Sequence, residues 1–515
     1  MTNPIASIRT LIAYAIIIPV AIFVGFLLTD PLNYGTMGFL GLVLALVISP
    51  VFIKWHYPIM IFGMACPMTC FFLVGNPPLA QVVVLLSLGI AIVERTLNSD
   101  KRFASEPVVA WPLVFIMAMT VITAELTGGI GLHALGGGMG GGKKYIAVLV
   151  GVATYFALTS RLIPRGQWKL YVALYLLPSV FGVISDLFPY LPSPLNYINL
   201  LFPPTSFADP GEDFGLIRFR SLSFAFGVVP LYLLARYGLR GVFLERKLWR
   251  PALFLACFAL SLTGGFRSAL ANLALICFLM FFMEGLHRTR LLPLLLMLGV
   301  LGALVLSVFS DKLPYSIQRS MCFLPLKWKT NVVLDAQDST EWRFRIWRDT
   351  WPKVPEYLLL GKGYSLSRED YESIGQGTFA NLGASHIDYS EESLAISGDY
   401  HSGPLTTLMP FGIWGGIGIL WLMAATAFVL YRNYRYGDPE LIVLNSFLLA
   451  TGITSIIFFL FVVGAFQNDV GGFAKLAGFS IAMNWGIAKR PPRTAYNPEI
   501  HKPAKSRPHS APQPA

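Results

Sequence analysis

Residues 404–430 read PLTTLMPFGIWGGIGILWLMAATAFVL, a run of 27 residues without a charged side chain. A helix needs about 20 predominantly apolar residues to cross the hydrocarbon core of a bilayer. This run therefore predicts a membrane-spanning helix. Similar apolar runs recur along most of the chain, and we interpret them in the same way, as candidate membrane-spanning helices.

The composition supports that interpretation for the whole chain of 515 residues. Hydrophobic residues make up 55% of the sequence and charged residues only 13%, and the mean hydropathy is +0.61. A soluble globular protein has about 25% charged residues, so this chain has too little polar surface to cover a water-soluble globule. The composition excludes a soluble enzyme, a fibrous protein and a wholly disordered chain, and it predicts an all-α polytopic membrane protein.

Fourteen apolar runs are candidates for membrane-spanning helices, and we expect about 12 to 14 of them to cross the bilayer. Two of them, 80–94 and 250–264, are short and could be re-entrant. The candidate runs are 11–28, 36–53, 57–75, 80–94, 107–126, 145–160, 168–187, 221–236, 250–264, 268–284, 291–308, 404–430, 441–464 and 471–488.

The basic residues predict the orientation of these spans. With the N-terminus in the cytoplasm, 23 of the 39 Lys and Arg residues lie on the cytoplasmic side, 15 lie outside and Lys475 lies within the last span. Ten of the external residues belong to one long loop, where the positive-inside rule loses force. Both termini are therefore predicted to be cytoplasmic. Membrane topology, rather than nucleic-acid binding, accounts for the net charge of +11.

Three hydrophilic segments interrupt the apolar runs. Residues 127–144 form a glycine-rich external loop, and the basic, Pro-rich tail 489–515 is expected to be disordered in the cytoplasm. Residues 309–403 form an external loop of 95 residues, far longer than a connector needs to be. The predicted organisation is eleven spans in 1–308, a large helical periplasmic loop in 309–403, three spans in 404–488 and the tail.

Arginines at the external ends of spans are candidates for function. An arginine at the centre of a membrane helix costs on the order of 2.5–3.5 kcal/mol on insertion scales, so charged groups at membrane level are functional candidates by default. Arg220 opens the span at 221–236, and Arg267 follows paired glycines between two apolar runs on the same side. We expect Arg220 and Arg267 to be functional, and we expect Arg218 to be an interfacial anchor.

The long loop and its return to the bilayer contain further candidates. Residues 341–351, EWRFRIWRDTW, predict a helix that is ended by Pro352. This helix could lie on the membrane with its tryptophans at headgroup depth, or one of its arginines could bind an anionic headgroup. His401 lies where the loop re-enters the bilayer, and an imidazole there could accept a proton from a hydroxyl group near neutral pH.

The sequence contains no zinc-ligand spacing, no Ser-His-Asp arrangement and no acidic metal motif, so no metal or cofactor is expected.

Four segments in this order resemble motifs of the O-antigen ligase/polymerase superfamily, the multi-spanning glycosyltransferases of bacterial surface-polysaccharide assembly. The resemblance covers about residues 215–430. Ser402 stands where the family usually has Asn, and Pro410 stands near a position often occupied by Glu. The segments are Arg220 at the start of a span, LTGGFRS at 262–268, RFRIW at 343–347 with LGKGY at 360–364, and HSGPL at 401–405 with GIWG at 412–415.

The resemblance implies a GT-C-like enzyme of the bacterial inner membrane whose active site faces the periplasm. It implies metal-independent, inverting transfer of a glycan from an undecaprenyl-diphosphate carrier to a sugar hydroxyl, on a growing polysaccharide or the lipid A core. His401 and Arg267 would be catalytic, with Arg267 and Arg220 on the diphosphate and His401 on the acceptor hydroxyl. Arg343 and Tyr364 would bind substrate and shape the loop over the site. Arginine suits this role because it can clamp phosphate bidentately.

Two alternatives stay open at the level of the sequence. A polymerase joins repeat units on the carrier, whereas a ligase moves the chain to the lipid A core or a protein. We favour the polymerase because the chain is longer than a minimal ligase requires. The alternative from another class is a transporter or lipid flippase with fourteen spans. No internal repeat is visible, however, and the candidate charges lie at the external face rather than at mid-membrane.

Overall fold

The structure is a computed structural model. It describes residues 4–27, 29, 34–73, 75–98, 103–128, 141–187, 190, 192, 195, 197–203, 219–289, 291–365, 398 and 400–489. Most of the glycine-rich loop 127–144, Arg218 and the tail from residue 490 onward lie outside these residues.

Regular structure within the described ranges is helical, apart from one antiparallel bridge between Thr69 and Pro78. Several short 3₁₀ turns link the helices, among them Leu262–Gly264 and Trp351–Lys353. The α-helices, numbered here in chain order, are α1 Pro4–Leu27, α2 Tyr34–Ala65, α3 Leu79–Leu97, α4 Pro107–Thr127, α5 Gly142–Thr159, α6 Trp168–Leu176, α7 Val183–Leu187, α8 Ile198–Leu201, α9 Arg220–Phe243, α10 Trp249–Ser261, α11 Arg267–Met283, α12 Leu291–Phe309, α13 Tyr315–Met321, α14 Thr330–Thr350, α15 Val354–Tyr357, α16 Gly403–Tyr436, α17 Ile442–Phe461 and α18 Phe466–Asn484.

The prediction of an all-α polytopic membrane protein is confirmed. Within the described part of the chain, seven helices are long and apolar enough to cross a membrane. The run 80–94 becomes a 19-residue helix of sufficient length, whereas 250–264 is among three shorter apolar helices. The total of 12 to 14 crossings stays a prediction. The seven candidate spans are Val47–Ala65, Leu79–Leu97, Pro107–Thr127, Arg165–Leu187, Arg220–Phe243, Gly403–Tyr436 and Pro439–Phe461.

Two predicted spans differ from the structure. The runs 36–53 and 57–75 were separated at the polar residues around Lys54, but α2 is one continuous helix of 32 residues from Tyr34 to Ala65. Polar side chains do not end a helix, because its backbone hydrogen bonds are unaffected by them. The helix continues through Pro50 and Pro58 and ends at Ala65.

The centre of the bundle is the pair α5 and α18. Both helices contribute to each of the two largest buried apolar cores of the described residues. Their backbones approach closely because glycines face each other: a Cβ atom on Gly151 would lie 2.9 Å from the backbone nitrogen of Gly471. Small residues commonly permit such close approach between membrane helices. Near one end of α18, the rings of Tyr175 and Phe479 stack with centroids 4.0 Å apart.

One end of the bundle gathers the starts of α9, α11, α16 and α18. The Ser223 hydroxyl near the start of α9 donates to the Ser261 carbonyl oxygen at the end of α10. The Phe466 amide at the start of α18 donates to Thr406 Oγ1 at 3.3 Å, in the first turn of α16. The partial positive charges of these helix N-termini therefore lie at the same end.

Replacing Gly151 by leucine should force α5 and α18 apart. Overpacking a close helix contact costs about 1–3 kcal/mol, so the detergent-solubilised variant should unfold at a lower temperature than the wild type. Gly472→Leu is the matched control, because a Cβ atom there meets nothing within 4 Å. Equal thermal stability of the two variants would contradict the central packing of this pair.

Candidate active site

Arg267 opens α11 directly after a tight turn. Gly265 adopts a left-handed φ of 71°, and a Cβ atom on Gly264 would lie 2.6 Å from the Ser223 Cβ atom. Glycine has no Cβ atom, so it tolerates both the left-handed backbone and the close approach. The turn aims the Arg267 guanidinium away from the bundle, so that its Nη2 atom donates to the Ala336 carbonyl oxygen and to Thr340 Oγ1, each at 3.0 Å. Arg267 thus connects the bundle to α14.

A second arginine, Arg319 on α13, supports the same junction. Its side chain is buried, and its Nη1 atom donates to the Gly265 carbonyl oxygen at 3.0 Å. Its Nε atom donates to Asp335 Oδ2 on α14 at 2.6 Å. The Tyr315 hydroxyl donates to the same carboxylate oxygen at 3.1 Å. Arg319 therefore ties the glycine turn to α14 from the other side.

Arg343, one helical turn beyond Thr340, completes a cluster of three guanidinium groups. Burial lowers the pKa of Arg343, and the positive charges of Arg267 and Arg319 lower it further. Among the described residues its buried Nε atom has no hydrogen-bond partner. The Arg319–Asp335 ion pair neutralises one of the three positive charges. The cluster of Arg267, Arg319 and Arg343 therefore carries an excess of positive charge. The Arg343 Nε atom could also donate a hydrogen bond to an anion.

His401 lies against the same helix. Its imidazole packs edge-on against the Trp342 indole, with ring centroids 5.1 Å apart and an interplanar angle of 77°. The Trp347 Nε1 atom donates to the Tyr400 carbonyl oxygen at 2.9 Å, which fixes the neighbouring peptide. His401 itself has a φ of 48°. Such a conformation in a residue other than glycine costs on the order of 1 kcal/mol or more and tends to occur at functional sites.

Tyr364 occupies a different place from the one predicted. Instead of covering the site, it is buried against α5 and α16, with its ring 5.2 Å from Tyr145 and 5.3 Å from Phe411 between centroids. Its amide donates to the Tyr145 hydroxyl at 2.7 Å. Burial, followed by the neighbouring phenols of Tyr145 and Tyr400, raises the pKa of Tyr364 well above its ordinary value. Tyr364 anchors the end of the loop segment below the arginine cluster.

Arg220 lies at the same end of the bundle but on its surface. It is the first residue of α9 and is exposed. The Leu222 amide two residues later donates to Asp186 Oδ2 at 2.7 Å, so a carboxylate lies beside this helix start. Arg267, Arg343 and His401 thus all lie on α14 or in contact with it. Arg220 lies at the periphery.

A groove of about 270 Å³ lies between α9, α11 and α17, and Ser268, the residue after Arg267, is among the residues that line it. Hydroxyl groups of Ser223, Ser261 and Ser268 line its outer part, and Leu231 and Leu273 line its deeper part. The groove therefore changes from polar to apolar along its length. This change suits a molecule with a polar head and an apolar tail.

Sequence reasoning missed Arg319 and Asp335. They lie 16 positions apart in a hydrophilic loop, and nothing in their spacing predicts the ion pair. The groove was missed as well. Within the described ranges, no group of three His, Cys, Asp or Glu side chains is arranged to hold a metal ion.

Comparison with protein families identifies one segment of the chain. Residues 251–420 match the model of the O-antigen ligase family. This segment is similar to the O-antigen ligase family. The match covers 170 of 515 residues, about one third of the chain, and is consistent with the O-antigen ligase/polymerase superfamily. No curated protein and no solved structure matches the chain.

The matched segment begins in α10 and ends in the middle of α16. It therefore contains the arginine cluster, Trp342 and His401, and it excludes Arg220. The match is consistent with an O-antigen ligase/polymerase-type membrane glycosyltransferase.

Replacing Arg319 by glutamine should loosen α14 from the bundle. The change removes charged hydrogen bonds to Asp335 and to the Gly265 carbonyl oxygen, each worth about 1.5–3 kcal/mol. We expect a lower unfolding temperature and faster proteolysis within α14. Arg348→Gln is the control, because the Arg348–Asp349 pair is exposed and such pairs contribute about 0–1 kcal/mol. If both variants behave like the wild type, Arg319 does not hold α14.

Proposed function

We propose that this protein joins glycans at the periplasmic face of the bacterial inner membrane. In this proposal it transfers a glycan from an undecaprenyl-diphosphate carrier to a sugar hydroxyl during polysaccharide polymerisation. The proposal rests on one observation. The incompletely neutralised arginine cluster and His401, which packs against Trp342, both lie at α14, within the segment that matches the O-antigen ligase family. Both termini are proposed to be cytoplasmic, which leaves this end of the bundle outside.

The arginine cluster supports a diphosphate leaving group. When the bond between the sugar and the diphosphate breaks, negative charge develops on the phosphate oxygens, and fixed cations near them stabilise the transition state. Arg343 is proposed to make the main contact, because its buried Nε atom has no hydrogen-bond partner within the described chain. Arg267 would contribute positive charge while its Nη2 atom holds α14.

His401 is proposed to act on the acceptor. The acceptor hydroxyl oxygen would attack the anomeric carbon, its proton would pass to the imidazole, and the bond to the diphosphate oxygen would break with its electron pair. A single displacement of this kind inverts the configuration at the anomeric carbon. The Trp342 indole and the fixed Tyr400 peptide hold the imidazole in one place. That preorganisation is what general base catalysis requires.

The groove beside Arg267 supports a lipid-linked donor. Its serine-lined part includes Ser268, the residue after Arg267, and its apolar part extends along α9 and α11. An isoprenoid chain could lie in the apolar part while its diphosphate reaches the arginines. Arg220, exposed at the start of α9, would attract the anionic carrier rather than contact the reacting bond.

Replacing Arg343 by glutamine should abolish transfer without destabilising the protein. The pKa of Arg343 is lowered by burial and by its cationic neighbours, so removing its charge relieves repulsion in the folded state. We expect at least a 100-fold loss of glycan transfer with an unfolding temperature equal to or above that of the wild type. Purified protein in lipid with a carrier-linked oligosaccharide would measure chain growth. His401→Ala should show a comparable loss.

Arg348→Gln provides the matched control, because Arg348 lies on α14 but its side chain is exposed. Its chain growth should equal that of the wild type. Wild-type polymer from Arg343→Gln or His401→Ala, at matched abundance in the membrane, would refute the role of that residue.

Analysis of a deletion strain separates the polymerase from the ligase. Loss of a polymerase leaves short repeats on the carrier, which is the result we expect. Long carrier-linked polymer that is not attached to lipid A core or protein would instead indicate a ligase.

A further inference from the structure

The segment that follows α14 exposes a run of apolar side chains. We call residues 351–360 the hook. Leu359 and Leu360 are 72% and 69% exposed, and Trp351 at the start of the hook is also exposed. Adjacent leucines presented in this way are unfavourable in water. The hook therefore requires an apolar environment.

Backbone hydrogen bonds fix the hook against a break in α16. The Ile413 amide donates to the Leu358 carbonyl oxygen at 2.7 Å, and the Lys362 amide donates to the Met409 carbonyl oxygen at 2.7 Å. The break itself is at Gly412, whose φ of 60° and ψ of −152° are not helical. A Cβ atom on Gly412 would overlap the Leu358 carbonyl oxygen. The hook and the break thus form one unit.

The break in α16 coincides with the outer boundary of the membrane. From Ile413 to Tyr436 the helix has 24 residues, or about 36 Å at 1.5 Å per residue, which spans a hydrocarbon core of about 30 Å. Arg432 and Arg435 lie near the end of this stretch, as the positive-inside rule expects for the cytoplasmic side. Trp414 is exposed at the opposite end, at the depth where tryptophans gather at the interface.

The exposed leucines of the hook continue the lipid-facing surface of α16. Ile413, Trp414 and Ile417 are exposed apolar residues on a helix long and apolar enough to span the membrane. The hydrogen bond from Ile413 to Leu358 places the hook at the same level as this surface. We propose that the hook inserts Leu359 and Leu360 among the acyl chains of the outer leaflet. The exposed cation Lys353, which lies within the hook, meets anionic lipid headgroups.

Insertion of the hook anchors α14 at the bilayer surface. The chain passes directly from α14 through Trp351 into the hook, so the arginine cluster is held at the level where the headgroup of a lipid-linked molecule lies. This anchoring follows from the packing and the apolar exposure, and it does not depend on the reaction proposed above.

Spin labels at single cysteines test the insertion in full-length protein in nanodiscs of phosphatidylcholine and phosphatidylglycerol. The background carries serine in place of all five native free cysteines, which are Cys66, Cys70, Cys257, Cys277 and Cys322. A label at Leu359→Cys should be accessible to oxygen and shielded from the water-soluble nickel complex Ni-EDDA, like a label at Ile417→Cys on the lipid-facing side of α16. A label at Glu356→Cys, an exposed charged position within the hook, should be accessible to Ni-EDDA.

Nickel access at Leu359→Cys equal to that at Glu356→Cys would overturn the proposal. Shielding from both oxygen and nickel, or shielding that is lost when the nanodisc holds one copy instead of two, would assign the leucines to a protein contact and would also overturn it. Because the readout is accessibility and not glycan transfer, a failure of the proposed function leaves this test unaffected.

Discussion

Two hydrogen bonds from the Arg267 guanidinium connect the transmembrane bundle to the helix that carries the rest of the candidate site. They reach the Ala336 carbonyl oxygen and Thr340 Oγ1 from a turn that only the Gly264–Gly265 pair allows. Together with Arg319 and the packing of Ile346 against Leu405 and Met409 of α16, this junction fixes the bundle relative to Arg343 and to Trp342, against which His401 packs. The position of α14 is thus the constraint on which the geometry of the site depends.

The junction has an electrostatic consequence. Holding α14 in place brings Arg343 close to Arg267 and Arg319, and within the described part of the chain only the Arg319–Asp335 ion pair offsets their charge. Partly buried cations without a full set of partners are unfavourable for folding. The fold tolerates this cost at a site that faces an apolar-to-polar groove. An anionic headgroup bound there would supply the missing counter-charge, which is why we assign the site to a diphosphate.

The sequence predicted the fold class well because crossing a bilayer imposes a strong compositional signal over each run of about 20 residues. It also named Arg267, Arg343, His401 and Tyr364 as site residues from their types and motifs, and their roles stay predictions. The sequence could not reveal features that depend on three-dimensional packing. The division of α2 was wrong because polar residues around Lys54 do not interrupt a helical backbone, and the motif around Tyr364 does not reveal that this side chain is buried against Tyr145 and Phe411.

The most direct test of the account is an experimental structure of the protein in lipid with a bound undecaprenyl-diphosphate oligosaccharide, determined by cryo-electron microscopy. The account predicts density for the diphosphate within hydrogen-bond distance of the Arg343 guanidinium, with the first sugar beside His401 and the isoprenoid chain in the groove along α9 and α11. Density for the diphosphate elsewhere on the molecule, with the arginine cluster still solvated, would contradict it.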